Sequence, residues 1–289
     1  MNQIDNYQPL IKQHKPRSGE IWYHYCSAES FMAIVNNKTI RLCDLRHMND
    51  ASELSLGESM FLDGIMENRN MDNNCKKIVQ IVHELYKKRF VPISMSFSKN
   101  KDQLSQWRGY ADDAKGFCLG FDVQSFMRLP VHLHKIKYDP ETQKRLIQNA
   151  INKIATLNIN NIDIKCLTWI AELFELFSII KDESFVEEQE FRLVGTLFVD
   201  VDNNSALFDI HKDDVNYKDF LNEINFRLVN NIPTPYVDLN ISKLAPIKQI
   251  VIGPNNHSEV TEIKRFMSTR NINNVEITKS SSTYINLKK

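Results

Sequence analysis

Short apolar runs rich in aromatic and β-branched residues alternate along this chain with longer stretches in which apolar residues recur at helical spacing. Residues 21–25, 39–43, 92–97 and 116–121 have strand character, as do 191–199, 248–252 and 275–278. Helices are predicted at 28–36, with Ser27 as N-cap and Phe31, Ile34 and Val35 inward, and at 73–90, where Ile78, Val79, Val82, Leu85 and Tyr86 share a face. Residues 105–110 form a helical turn. Asp139-Pro140-Glu141 is a helix start, an N-cap acid followed by Pro at the first helical position. Residues 167–180 are apolar almost all round and predict a buried helix; another follows at 258–269. Met48-Asn49-Asp50 with Glu53 predicts a turn and helix cap. Strands at both ends with helices between them imply an α+β fold. The expected organisation is a polar arm at 1–19 and one domain at 20–289, with a helical insertion at about 139–180.

Composition narrows the function classes. The formal net charge is zero, so bulk electrostatics do not point to nucleic acid. No apolar run is long enough to span a membrane, and residues 1–15 lack the apolar core of a signal peptide. Cys26, Cys43, Cys75, Cys118 and Cys166 are widely spaced, which predicts reduced thiols and a cytoplasmic location.

The carboxylates of Glu187-Glu188-Gln189-Glu190-Phe191-Arg192 stand at the start of the 191–199 strand. Glu187 and Glu188 are expected to be a solvated charge run. Glu190, next to the first buried aromatic, is the candidate for chemistry. His132 and His134 share a strand face, but no third ligand lies near them in sequence, so no metal site is expected. Trp22-Tyr23-His24-Tyr25-Cys26-Ser27 offers a histidine among aromatics before a helix start. Ser94, Ser96 and Ser98 place hydroxyls on one strand face, and Gln106-Trp107-Arg108-Gly109-Tyr110 offers rings that stack on a flat group.

In order, these pieces resemble a large, mostly bacterial family catalogued as domain of unknown function 2971. The likeness rests on His24-Tyr25-Cys26-Ser27, Asn49-Asp50 with Glu53, Ser94 to Ser98, Trp107 to Ala111, Lys115 to Phe121, Glu188 to Arg192 and Ile250 to Pro254. The same order is remotely similar to ADP-ribosyltransferases, especially a DNA-targeting bacterial branch, although Phe97 stands where a Tyr is expected and no Gly follows His24. That resemblance implies a split, mostly antiparallel sheet around a cleft. It implies NAD as substrate, with ADP-ribose passing to a protein or nucleic acid or NAD simply hydrolysed, in phage defence or as a toxin. Glu190 would be the catalytic acid. His24, Tyr25 and Ser27 would hold the adenosine side, Phe97 and Tyr110 would flank nicotinamide, and Ser96 would lie beneath it. The alternative is a non-catalytic sensor or partner-binding subunit of a bacterial defence system. Oligomeric state is left open.

Overall fold

The computed structural model describes residues 9–47, 53–69, 71–73, 90–155, 164–200, 205–208 and 221–284, with isolated positions between 76 and 87. The readings at Asn49 and Asp50, at Cys75 and at residues 1–8 of the polar arm lie outside the described residues.

Strands β1 (Ile21–Cys26), β2 (Thr39–Asp44), β3 (Phe90–Ser98), β4 (Phe117–Asp122), β5 (His132–Lys135) and β6 (Glu190–Asp200) are followed by β7 (Ser205–Phe208), β8 (Leu221–Val229), β9 (Ile232–Asn240), β10 (Ile247–Ile252) and β11 (Glu276–Lys279). Helices are α1 (Ala28–Asn37), α2 (Glu53–Glu67), α3 (Leu104–Tyr110), α4 (Val123–Phe126), α5 (Pro140–Ile154), α6 (Ile164–Ser178) and α7 (Val260–Thr269). The described positions between 73 and 87 are helical. The class is α+β, and the sheet is largely antiparallel, with β10 and β11 paired in parallel.

The main strand order is β11-β10-β4-β1-β3-β2-β9-β8, and β6 carries β5 and β7. β3 is the hub. β6 runs along it from Phe90 to Ser98, while β1 meets it at Ser98 and β2 at Ser94 and Ile93. β1 and β2 therefore share the edge of β3 that β6 leaves, and they part between Ser94 and Ser98.

Alternation gives the sheet two different faces. One bears Trp22, Met95, Phe97, Leu119, Phe121, Leu133, Phe191 and Leu193, closed by α1, α4 and α7 through Phe31, Val35, Phe126, Ile263 and Met267. Trp22 stacks on Phe191 at 4.5 Å between ring centroids. The other is covered over β3, β5 and β6 by α6, which packs with α2 and α5 through Phe61, Ile65, Ile147, Ile151, Phe174 and Phe177. Over β1 and β4, α3 supplies Trp107 and Ala111 against Tyr25, Cys118 and Val251. That contact needs Gly116, where a Cβ would lie 2.0 Å from the Cys26 carbonyl oxygen.

The periodicity does not mark the β8–β9 hairpin as an element. The signal was present: Asn230 and Asn231 form its turn with φ of 50° and 65°, the left-handed pair that a tight hairpin requires.

Candidate functional site

The site lies on the second face, where β3, β5 and β6 meet α6. Ser94, Ser96 and Ser98 alternate away from the core positions Ile93, Met95 and Phe97. β6 is antiparallel to β3, with Ser98 opposite Glu190 and Ser96 opposite Arg192, so both ionic side chains stand on the serine face.

Asp182 caps a 3-10 turn at Glu183–Glu188, and Gln189, at φ 46°, swings the chain into β6. Glu190 N then donates to Tyr138 Oη at 3.0 Å, and its carbonyl accepts from Ile136 N. The carboxylate is filled from both sides. Arg192 Nε donates to Oε1 at 2.6 Å, and Arg192 Nη2 and Lys181 Nζ donate to Oε2, each at 3.1 Å. Ser96 also bonds it. Arg192 Nη1 donates to the Ser178 carbonyl at 2.6 Å, at the negative end of the α6 dipole. Lys181 Nζ reaches on to Glu188 Oε2 at 2.6 Å, and Tyr110 Oη closes the chain on Glu188 Oε1 at 2.7 Å. Burial works to raise the Glu190 carboxyl. The Arg192 and Lys181 charges and the hydrogen bonds outweigh it and hold the group well below its ordinary value.

Glu190 is 5 % exposed and Tyr110 44 %, so the network runs from the surface into the joint between sheet and helices. Two carboxylates against two cations leave it with no net charge.

The sequence readings fare differently here. Ser96, Tyr110 and Glu190 come together. His24 and Phe97 do not join them: their rings lie 5.8 Å apart on the other face. Phe97 is a core residue packed on Trp22, Phe121 and Phe126, closed to a flat ligand. His24 Nδ1 donates to the Ser96 carbonyl at 2.9 Å, where β1 and β2 diverge, and burial lowers its pKa. Tyr25 is buried, with its hydroxyl donating to Asn100 O and accepting from Gln103 N. Ser27 caps α1 by accepting from Ser30 N. Both have structural duties that account for them. Glu187 is exposed, but Glu188 is half-buried and bonded on both oxygens, which corrects its reading as part of a solvated run.

A second polar cluster lies beside this one. His134 is opposite Arg192 and His132 opposite Val194, so both imidazoles face α6 and not solvent. Glu175 of α6 meets them. His132 Nδ1 donates to its oxygens at 2.7 and 2.8 Å, and His134 Nε2 at 3.2 Å. Burial would raise the Glu175 carboxyl, yet the histidines hold it at about 2. Burial lowers His134. The sequence argument against a third ligand fails, because Glu175 is supplied by a helix 41 residues beyond His134. The sequence patterns do not mark Lys181 or Glu175 as site residues. Glu175 sits one turn after Glu172 in a largely apolar helix, and a buried acid in such a helix requires a partner.

Among the described residues, no helix is long and apolar enough to cross a membrane. No curated protein and no solved structure matches the chain. Residues 106–193 span most of α3 through the start of β6 and contain both polar clusters apart from Ser96; they match the model of the family described as Protein of unknown function (DUF2971).

Proposed function

We propose that the chain is a binding module that associates through its β8–β9 hairpin, with the Glu190 network serving as a structural joint. The observation that carries this reading is the apolar stripe on the hairpin. Phe226 and Leu228 are 65 % and 72 % exposed and share a face with their cross-strand partners Pro235 and Pro233. The stripe continues outward from Val237 of the core and Ile224, which is partly buried against it. Large side chains held out on an ordered hairpin are the usual sign of a contact surface. Pro233 and Pro235 leave β9 without two of the amide hydrogens that strand addition needs on that side, and the exposed stripe itself is recognised by packing of side chains.

The occupant we assign is a second copy of this chain. A two-fold contact needs only one self-complementary patch, and a chain of zero formal charge does not repel its own copy. The test is light scattering across a concentration series. The expected result is a dimer for the wild type and a monomer, equally folded, for the Phe226→Ser/Leu228→Ser variant. A wild-type monomer throughout refutes the assignment.

The competing reading is NAD-dependent ADP-ribosyl transfer on an ADP-ribosyltransferase-like split sheet, with Glu190 as the acid. In its favour are the divergence of β1 and β2 along β3 and the grouping of Ser96, Tyr110 and Glu190 on one face. Against it, an oxocarbenium ion is stabilised by an uncompensated carboxylate, whereas Glu190 already carries Arg192 and Lys181. His24 also lies across the sheet. Nicotinamide release from labelled NAD, with label passing to an acceptor in the wild type and both lost in Glu190→Gln, would establish the transferase reading instead.

A further inference from the structure

We propose that His132, His134 and Glu175 form a binding site for a first-row divalent cation, with Zn2+ as the ion it takes. Their ligand atoms, one per residue, lie within 4.8 Å of one another. Two imidazole nitrogens and one carboxylate oxygen are a set that zinc accepts at about 2.0–2.2 Å, with a fourth position for water or another ligand. Three features set this cluster apart from an ordinary polar face.

First, the site is enclosed. Glu175 and His134 are each 1 % exposed, and His132 is the less buried member, so access is from its side. Second, rigid elements hold it. β5 fixes both histidines in register with Val194 and Arg192, and Glu175 sits in the last turns of α6, whose end is tied to the sheet through Arg192 and the Ser178 carbonyl. Third, the face around it holds orphaned polar groups. Ser94 and Thr196, each 1 % exposed, have hydroxyls with no hydrogen-bond partner among the described residues. Ser94 is opposite Val194, which on its other edge is opposite His132. Buried hydroxyls in folded proteins are normally satisfied, by water or an ion where protein groups are absent.

The electrostatics suit a dication. With both histidines in the neutral form that ligation requires, the three ligands carry a charge of −1. Among the described residues, Arg192 lies beside it but is already paired with Glu190, and Lys137 acts on His134 at longer range. In the metal-free state Glu175 accepts from one N–H of each imidazole; for those nitrogens to bind the ion, a neutral ring carries its proton on the other nitrogen and a protonated ring releases one proton to solvent. Softness and geometry favour Zn2+ over Mg2+ or Ca2+, which prefer all-oxygen shells.

The experiment uses the untagged full chain. Elemental analysis of protein grown with added zinc is expected to find about one zinc per chain, removable by chelator. Co2+ added to the stripped protein is expected to give the intense visible absorption of a low-coordinate histidine–carboxylate site, reversed by Zn2+. His132→Asn is the working variant because His132 is the least buried ligand; Glu175→Gln is the second, used only if circular dichroism finds it folded. Either is expected to weaken Co2+ binding beyond the roughly 10–100-fold typical of changes outside the ligand shell. The proposal is overturned if purified protein carries no zinc and Co2+ gives no visible absorption, or if folded His132→Asn binds Co2+ as the wild type does.

Discussion

Replacing Glu190 by Gln separates a structural joint from a catalytic acid. Gln keeps the size of Glu but offers one acceptor oxygen, and it turns an NH2 group toward donors. Of the contacts at 2.6, 3.1 and 3.1 Å from Arg192 and Lys181, at least one becomes donor against donor. Arg192 is 1 % exposed and cannot turn to water for its lost counter-charge. Removing one partner of a buried pair costs about 3–5 kcal/mol. Lys181 retains Glu188 at 2.6 Å, which places the expectation near the lower end, about 3 kcal/mol. Urea denaturation followed by far-ultraviolet circular dichroism measures this as a shift of midpoint at constant slope. Arg192→Gln alone should cost a similar amount, and the double variant clearly less than the sum, because each change removes the reason for the other's penalty. A Glu190→Gln variant that loses less than about 1 kcal/mol would refute the claim that the carboxylate is spent on the joint. A catalytic acid would give the opposite result, with little lost stability and turnover reduced by about 10²–10³.

Gly116→Ala should destabilise by at least about 1–3 kcal/mol, since its Cβ would meet backbone atoms of Cys26 and Ala111 that no side-chain rotation can clear; thermal unfolding at a single protein concentration checks this. Stability should fall as the pH is lowered through about 6.5, because the lowered folded-state pKa of His24 means that the unfolded chain takes up the proton first. The contribution is fully present above that value and lost toward the folded-state pKa. Urea midpoints at pH 7.5 and 5.5, for wild type and His24→Gln, should show a smaller pH slope in the variant; equal slopes would remove His24 as a source.

The sequence by itself determined many of the local elements, though not β7 or the β8–β9 hairpin, and which side chains are apolar. Alternation in β1 and β3 and the Asp139-Pro140 start of α5 depend on residues near one another along the chain, and the structure has them within a residue or two of the expected limits. The likeness to the family matched over residues 106–193 was legible for the same reason, since it rests on short blocks in a fixed order. Alternation also implied that Phe97 and Ser96 face opposite ways, although the candidate site needed them together. What only the tertiary structure decided is which charges meet. Glu190 could be a reactive acid or half of an ion pair, and the choice depends on Lys181 being brought in by the turn after α6. His132 and His134 could line a solvent face or a ligand site, and Glu175 settles their partner from an element distant in sequence. A buried polar group takes its role from whatever neutralises it, and that neighbour is set by packing and not by local sequence.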